Sequence, residues 1–584
     1  MAIFNFKKDD ELGTVFHIDT RQVFIRVKES DKLKDARVGR LVALQGGVGE
    51  WLIGMIEKVV KRFFEGDEET APETDDSSND ELSNIENLVR LILIGTLRNK
   101  QGNRENYFTR SILTIPDIDA SCYPIEGEYL ERFMGVIALE FKNNNNSLLV
   151  GRYTLDESAM AYLDGDRFFQ RHAAILGSTG SGKSWTVATI LERASQLSSV
   201  NIIVFDMHGE YKSLQFAQQL KIAGPDDLKN YEESIFYDES ILFLPYWLLN
   251  AEEMQSMFID RSEFSAHNQV MAFQDAVTEA KTQFLQEKGK FEILDSFTID
   301  SPVPFSLDKV ISQINELNEE MVQGTRGIKQ GNFYGQFSRL LVRLRSKLSD
   351  KRYGFIFQAP HSWQDYETLH QLAKKLLEPK NEGNNKGIKV IDFSEVPSDI
   401  VPIIVGLVAR LVFQIQFWMD NKNRKPVVLV CDEAHLYLPV KEGVNPVEKR
   451  ALENFERIAK EGRKYGVGLL VVSQRPSDVS STILCQCNNF IALRLTNATD
   501  QAVVKKLMPD NLEPLMDVLP ILDVGEAVII GDAVLLPTRV KLLEPTEENR
   551  PLSATIDFWT EWSQNSKSSD IVSAVENMRK QSRR

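Results

Sequence analysis

From Ala173 the chain runs through four small or apolar residues, Ala173, Ala174, Ile175 and Leu176. It continues into Gly177, Ser178, Thr179, Gly180, Ser181, Gly182, Lys183 and Ser184, then into a segment with helical character, Trp185 to Ala194. The pattern G-x-x-x-x-G-K-[ST] between a buried strand and a helix leaves few ways to fold. Glycine lets backbone N–H groups wrap a chain of phosphates, and the helix N-terminus adds a partial positive charge. In such a loop Lys183 reaches the β- and γ-phosphates, and the Ser184 hydroxyl is a ligand of Mg²⁺. The expected ligands are therefore ATP and Mg²⁺.

A phosphate cradle alone does not imply hydrolysis, which requires a second carboxylate near the metal. Val427 to Cys431 form another apolar run and lead directly into Asp432 and Glu433. An acidic pair at the end of a buried strand is costly without a cation. Asp432 is expected to hold the hydrated Mg²⁺, and Glu433 to orient and deprotonate the attacking water. The next apolar run, Gly468 to Val472, delivers Ser473, Gln474 and Arg475. Gln474 is the candidate for touching the γ-phosphate; the alternative is a polar residue that simply ends a strand before Pro476.

Between these runs Glu448 to Lys464 reads as a helix with Leu452, Phe455 and Ala459 on its buried stripe. At about 100° per residue, Arg457 lies roughly 200° from Phe455 and points away from that core. Such an arginine is either solvated or offered to a neighbouring subunit's nucleotide as an arginine finger. Arg463, about 80° from Phe455, is the weaker candidate.

The fold class follows from the order of the elements. From Arg171 onward, buried runs at Ala173–Leu176, Asn201–Phe205, Lys389–Phe393, Val427–Cys431, Gly468–Ser473 and Phe490–Leu495 alternate with helical segments. That is an α/β domain with a mostly parallel sheet. Residues 13 to 62 instead show short alternating runs, as in Val23, Ile25 and Val27, which predict a small β-barrel that Leu88 to Gly95 resumes. The expected division is a barrel over 1–150 and an ATPase core over 151–250 and 386–550, with a helical subdomain inserted over 251–385 and a polar C-terminal tail over 551–584. Ile400 to Trp418 is the most apolar window, but Pro402, Arg410, Gln414 and Gln416 interrupt it, and a buried core helix is expected rather than a membrane span.

Charge and cysteine content exclude other classes. The formal net charge is −16, so a uniformly basic surface that coats nucleic acid is excluded. Glu65 to Glu81 holds nine acidic and no basic residues, which leaves the rest of the chain nearer −7 and allows a local basic channel. With little to bury, 65–86 is expected to be a disordered insertion. Four cysteines, Cys122, Cys431, Cys485 and Cys487, are too few for a disulfide framework and are expected to be unpaired and buried. Met1 to Asp10 has no apolar signal region, so a cytoplasmic chain without a membrane anchor is expected.

The ordered set of Gly177 to Ser184, Asp206-Met207-His208-Gly209-Glu210-Tyr211, Asp432-Glu433-Ala434-His435, Arg457 to Gly466 and Ser473-Gln474-Arg475-Pro476 resembles the HerA family. This family belongs with FtsK-like hexameric DNA pumps. The late Gly525-Glu526-Ala527 to Gly531 and Leu536-Pro537 segments extend the resemblance over most of the chain. It implies a RecA-like P-loop ATPase core of the type with an additional strand and a catalytic Glu. It also implies an N-terminal barrel that organises a homohexamer, and an inserted helical bundle. By the same resemblance Lys183, Ser184, Asp432, Glu433 and Gln474 form the cis site, Arg457 comes from the adjacent subunit, and Arg171 is a further candidate for phosphate. Asp206, His208 and Glu210 are either a hydrogen-bonded loop or part of the site.

The implied function is an ATP-dependent double-stranded DNA translocase or helicase, working with a separate nuclease or other effector in DNA-end processing or anti-phage defence. The competing reading is a scaffold ring that binds nucleotide to assemble and gate a partner enzyme. DNA contacts cannot be carried over by motif. Gly324 to Gly331, which contains Arg326 and Lys329, and Arg339, Arg343, Arg345 and Lys347 are either phosphate contacts or solvated faces.

Overall fold

The computed structural model describes residues 3–19, 22–47, 49–63, 85–101, 104–112, 114–143, 146–154, 156–228, 239–324, 327–381, 386–440, 446–508, 510–552, 558–563 and 571–580. The chain divides into two compact units. The first comprises Met1–Arg193, Gln474–Ser477 and Cys487–Pro545, and the second Ala194–Ser473, Asp478–Gln486 and Thr546–Arg584.

In the first unit, β1 (Gly13–Ile18), β2 (Gln22–Arg26), β3 (Leu41–Gln45), β4 (Glu50–Phe63), β5 (Ile85–Gln101) and β7 (Ser121–Pro124) close into the expected barrel, with β6 (Arg104–Thr109) added to the edge of β5. Closure depends on β2 pairing with β5, from Gln22↔Ile92 to Arg26↔Leu88. The alternation read from the sequence then points inward, with Val23, Ile25, Val42, Leu44, Leu52, Val89 and Leu91 in one apolar core. β4 and β5 pair out to Phe63↔Ile85. The acidic stretch 65–86 needs correction at its end, where Ile85 and Glu86 belong to β5 and Glu86 is ion-paired with Arg26, while its residues 65–84 lie outside the described ones.

The same unit holds β8 (Ser147–Tyr153), β9 (Asp156–Asp164), β10 (Ala173–Leu176), β19 (Asn489–Leu493), β20 (Glu526–Gly531) and β21 (Thr538–Leu542), in the order β10-β19-β20-β21-β8-β9. β10 and β19 are parallel, and the other neighbours are antiparallel.

In the second unit a parallel sheet is ordered β13-β12-β16-β11-β17-β18. Its strands are β11 (Ile202–Asp206), β12 (Gln218–Ile222), β13 (Ile241–Leu242), β16 (Ile388–Asp392), β17 (Val427–Cys431) and β18 (Val467–Ser473). β11, β16, β17 and β18 are buried throughout, as parallel strands covered on both faces must be. The helix Val401–Trp418 is long and apolar enough to cross a membrane, and 78% of it is buried inside the protein, in keeping with a core helix. Arg410 on this helix is buried against Glu253.

Residues 251–377 carry five long helices, Ala251–Phe258, Ala266–Glu287, Leu307–Glu319, Ser338–Ser349 and Thr368–Leu377. They also hold a hairpin absent from the sequence reading, β14 (Met321–Gly324) with β15 (Gly327–Gln330).

Two further expectations need correction. The helix predicted over 448–464 runs from Pro446 to Glu461 and then tightens to a 3-10 turn over Gly462–Tyr465. The chain packs so closely there that a Cβ on Gly462 would lie 2.7 Å from Val467 O. Cys122, Cys431 and Cys487 are buried free thiols as expected, but Cys485 is exposed.

Candidate functional site

Gly177 to Gly182 lead from β10 into the helix Lys183–Ala194, within the first unit. The loop is held by the backbone of its own unit: Ser178 N donates to Arg494 O at 2.8 Å, and Gly525 N donates to Ser181 O at 3.0 Å. Two glycines are sterically required. Gly182 has φ +103°, which L-residues rarely adopt, and a Cβ on Gly177 would lie 2.6 Å from Ser181 Oγ and 2.8 Å from Leu493 Cβ. Lys183 is buried, and its Nζ donates to Ser178 O at 3.3 Å. Ser184 opens the helix beside it, in the part-buried first turn. The bracing by Gly525 was legible only as part of a family-like segment, since nothing local in Gly525-Glu526 points to Ser181.

Gln474 follows the last residue of β18 and belongs to the first unit. Its Oε1 accepts a hydrogen bond from Thr179 Oγ1 at 2.5 Å. Thr179 and Gln474, 295 residues apart in sequence, are thus joined by a side-chain bond within this unit.

In the second unit, carboxylates gather at the C-terminal tips of two adjacent strands. β11 and β17 pair up to Phe205↔Cys431, so Asp206 and Asp432 follow side by side. Asp432 is buried, and burial together with Glu433, Asp206 and Glu210 pushes its carboxyl well above the ordinary range. Glu433 has φ +45° and ψ +46°, uncommon for a residue with a side chain, and this re-aims it at the end of the strand. Its Oε2 is buried without a hydrogen bond; His435 Nδ1 lies 3.3 Å away but lacks hydrogen-bond geometry. The same Nδ1 is 3.4 Å from Ser473 Oγ.

The buried carboxyl of Asp432 and the Glu433 Oε2 without a hydrogen bond are donors that fit a hard divalent cation such as Mg²⁺. Among the described residues no three His, Cys, Asp or Glu side chains converge on a metal.

Asp206 has a different role from the one its acidity suggests. It is fully buried; Oδ1 accepts from Gly209 N at 2.8 Å and Glu210 N at 3.0 Å, and Oδ2 accepts from Tyr211 N at 3.0 Å. Burial raises its pKa to about 6 despite these three donors. Of the two sequence readings, the hydrogen-bonded loop is the one these bonds describe. His208 in that loop is exposed. Asp206→Asn is expected to destabilise the second unit by about 1–3 kcal/mol, because one amide face cannot accept from the buried Tyr211 N–H. Urea titration checks this, and a loss under about 0.5 kcal/mol would contradict it.

Arg457 has 54% of its side chain exposed; it lies 5.0 Å over the Phe413 ring and 3.5 Å from Glu461. Arg171 is ion-paired with Asp532 at the start of β10, and the phosphate loop leaves the other end of that strand. His172 and the four residues of β10, at about 3.3 Å each along the strand, separate the two, so Arg171 is poorly placed for phosphate of its own loop. Of the basic candidates, Arg343 is occupied by Glu263, Gln269 and Phe258 O, and Lys347 by Tyr353. Arg339 and Arg345 are exposed. Arg326 lies outside the described residues.

Residues 148–412 match the helicase HerA central domain, and residues 405–543 match the helicase HerA-like C-terminal domain. The two stretches overlap over 405–412 and together span more than half of the sequence. The chain belongs to the HerA family. A probable helicase of Methanocaldococcus jannaschii is 26% identical over 410 residues, 68% of this chain and 65% of that protein. The DNA double-strand break repair helicase HerA of Pyrococcus furiosus is 26% identical over 425 residues, 67% of this chain and 68% of its own length. A second probable helicase of Methanocaldococcus jannaschii is 24% identical over 562 residues, 91% of this chain and 95% of that one. The matched region thus spans about two thirds of the length of the first two of these relatives. Among solved structures, VirB4 of Thermoanaerobacter pseudethanolicus covers 69% of this chain and 98% of its own, with 18% identity and a TM-score of 0.44. The plasmid coupling protein TrwB in complex with ADP and Mg²⁺ covers 65% and 87%, with 16% identity and a TM-score of 0.40.

Proposed function

We propose that this chain is an ATP-dependent double-stranded DNA translocase or helicase that acts as a homohexameric ring in the cytoplasm. The observation that carries the ATPase reading is the Thr179–Gln474 hydrogen bond, which joins a polar side chain to the phosphate loop. Lys183 and the loop amides bind the phosphates, Ser184 and Asp432 hold Mg²⁺, and Glu433 takes the proton of the attacking water. Gln474 orients the γ-phosphate, and Arg457 acts on the nucleotide of the neighbouring subunit. When bound, Mg²⁺ neutralises the charge that develops on the phosphate oxygens.

The DNA substrate is supported by relatives that are themselves named DNA double-strand break repair helicases. In this reading 1–150 organises the ring, 151–250 with 386–550 is the motor, 251–385 is an inserted helical part and 551–584 is peripheral. A separate nuclease or other effector acts with it, in DNA-end processing or anti-phage defence.

ATP turnover with and without linear double-stranded DNA tests the reading. DNA is expected to raise turnover several-fold, and Lys183→Ala to remove it under both conditions. A turnover that ignores DNA would replace the pump by the scaffold ring that gates a partner enzyme.

A further inference from the structure

The helix Val401–Trp418 is the most apolar of the second unit, yet it ends in the open: Trp418 is 82% exposed and Phe417 36%. The exposed rings belong to a continuous aromatic cluster. Phe417 lies 5.2 Å from Trp418 and 5.0 Å from Tyr465, and Tyr465 lies 5.6 Å from Phe413. Phe413 is the ring beneath Arg457. Cations surround the cluster, with Arg424 at 5.4 Å and Lys464 at 5.5 Å from the Tyr465 ring. Over the flanking stretches 420–425 and 457–464, seven Lys and Arg stand against two acidic residues, in a chain whose net charge is −16. Arg424 is committed locally, capping the helix end through Gln416 O and Met419 O. Lys422, Lys425, Arg463 and Lys464 remain exposed.

An exposed tryptophan beside arginines and a tyrosine has the composition of a binding hot spot. We infer that Trp418 anchors the contact with a second copy of this chain, on that copy's nucleotide-bearing surface. Two features select this occupant. Arg457 sits on the same cluster, so a copy close enough to offer its nucleotide to Arg457 also covers the rings beside it. The basic rim suits a surface on which a bound triphosphate adds negative charge to an acidic protein. This inference rests on the ring reading of Arg457 and adds to it the residue that supplies the affinity.

Sedimentation of the full chain with Mg²⁺ and ATP tests it, alongside Trp418→Ala and Arg457→Ala. Trp418 is exposed, so its replacement leaves the fold intact. Trp418→Ala is expected to raise the concentration needed for assembly by about 30-fold or more, with turnover per chain recovering as concentration increases. Arg457→Ala is expected to assemble as the unaltered chain does and to lack turnover at every concentration. A photo-crosslinking residue at 418 is expected to join a second copy near residues 177–184. Assembly of Trp418→Ala at the unaltered concentration, or crosslinks confined to its own chain, would overturn the anchor while leaving the ring. An unaltered chain that stays single with Mg²⁺ and ATP would overturn the ring and the anchor together.

Discussion

Glu433→Gln is expected to lower ATP turnover by about 10²–10⁴-fold while leaving ATP binding in place. Glutamine keeps the shape of the side chain and removes its ability to take a proton. The local energetics make the result easy to interpret. Glu433 is one of the carboxylates that push Asp432 upward, and its buried Oε2 has no hydrogen bond. Removing that charge relieves repulsion, so the variant is expected to be as stable as the unaltered chain or more so in the absence of Mg²⁺. A loss of turnover then reports on chemistry and not on unfolding. Phosphate release, equilibrium ATP binding and melting temperature are the three measurements. Turnover within about threefold of the unaltered chain would take the role of general base from Glu433.

Arg410→Met is expected to cost about 3–5 kcal/mol. Arg410 Nε donates to Glu253 Oε1 at 2.9 Å, and Nη2 donates to Glu253 Oε2 at 2.8 Å and to Leu248 O at 2.7 Å. The two side chains are only 6% and 5% exposed. Glu253 also completes a capping box with Asn250 at the start of the helix Ala251–Phe258. Methionine would leave that carboxylate buried without its cation, which is the costly outcome for a buried pair. Removing both charges, as Arg410→Met with Glu253→Leu, is expected to restore most of the loss. Urea unfolding of the three variants gives the comparison. A single-variant loss below about 1 kcal/mol would mean that water reaches the pair.

The phosphate loop, the strand that enters it and the acidic strand tip were legible because each is a local pattern. Gly177 to Ser184 and Val427 to Glu433 carry their signal within about eight consecutive residues, and burial on both faces of a parallel sheet writes itself as an apolar run. Boundaries were less legible. The helix from Pro446 gives way at Gly462 because Val467 O approaches it, a contact that periodicity does not record. The hairpin at Met321–Gln330 was hidden for a similar reason: its strands are short and exposed, so no alternation marks them.

The sequence by itself determined the phosphate loop of an ATPase, an acidic pair at a strand tip, a barrel followed by an α/β core, and membership of the HerA family. Tertiary structure alone decided what each side chain does with its neighbours. It closed the barrel through β2 and β5 and gave Asp206 three backbone amides instead of an open place among the acids. It tied Gln474 to Thr179 across 295 residues, laid Arg457 over Phe413, and left Trp418 uncovered. The reason is one of range. Propensity and periodicity act over a few residues, whereas pairing a buried charge or hydrogen-bonding a strand tip depends on partners that only folding brings near.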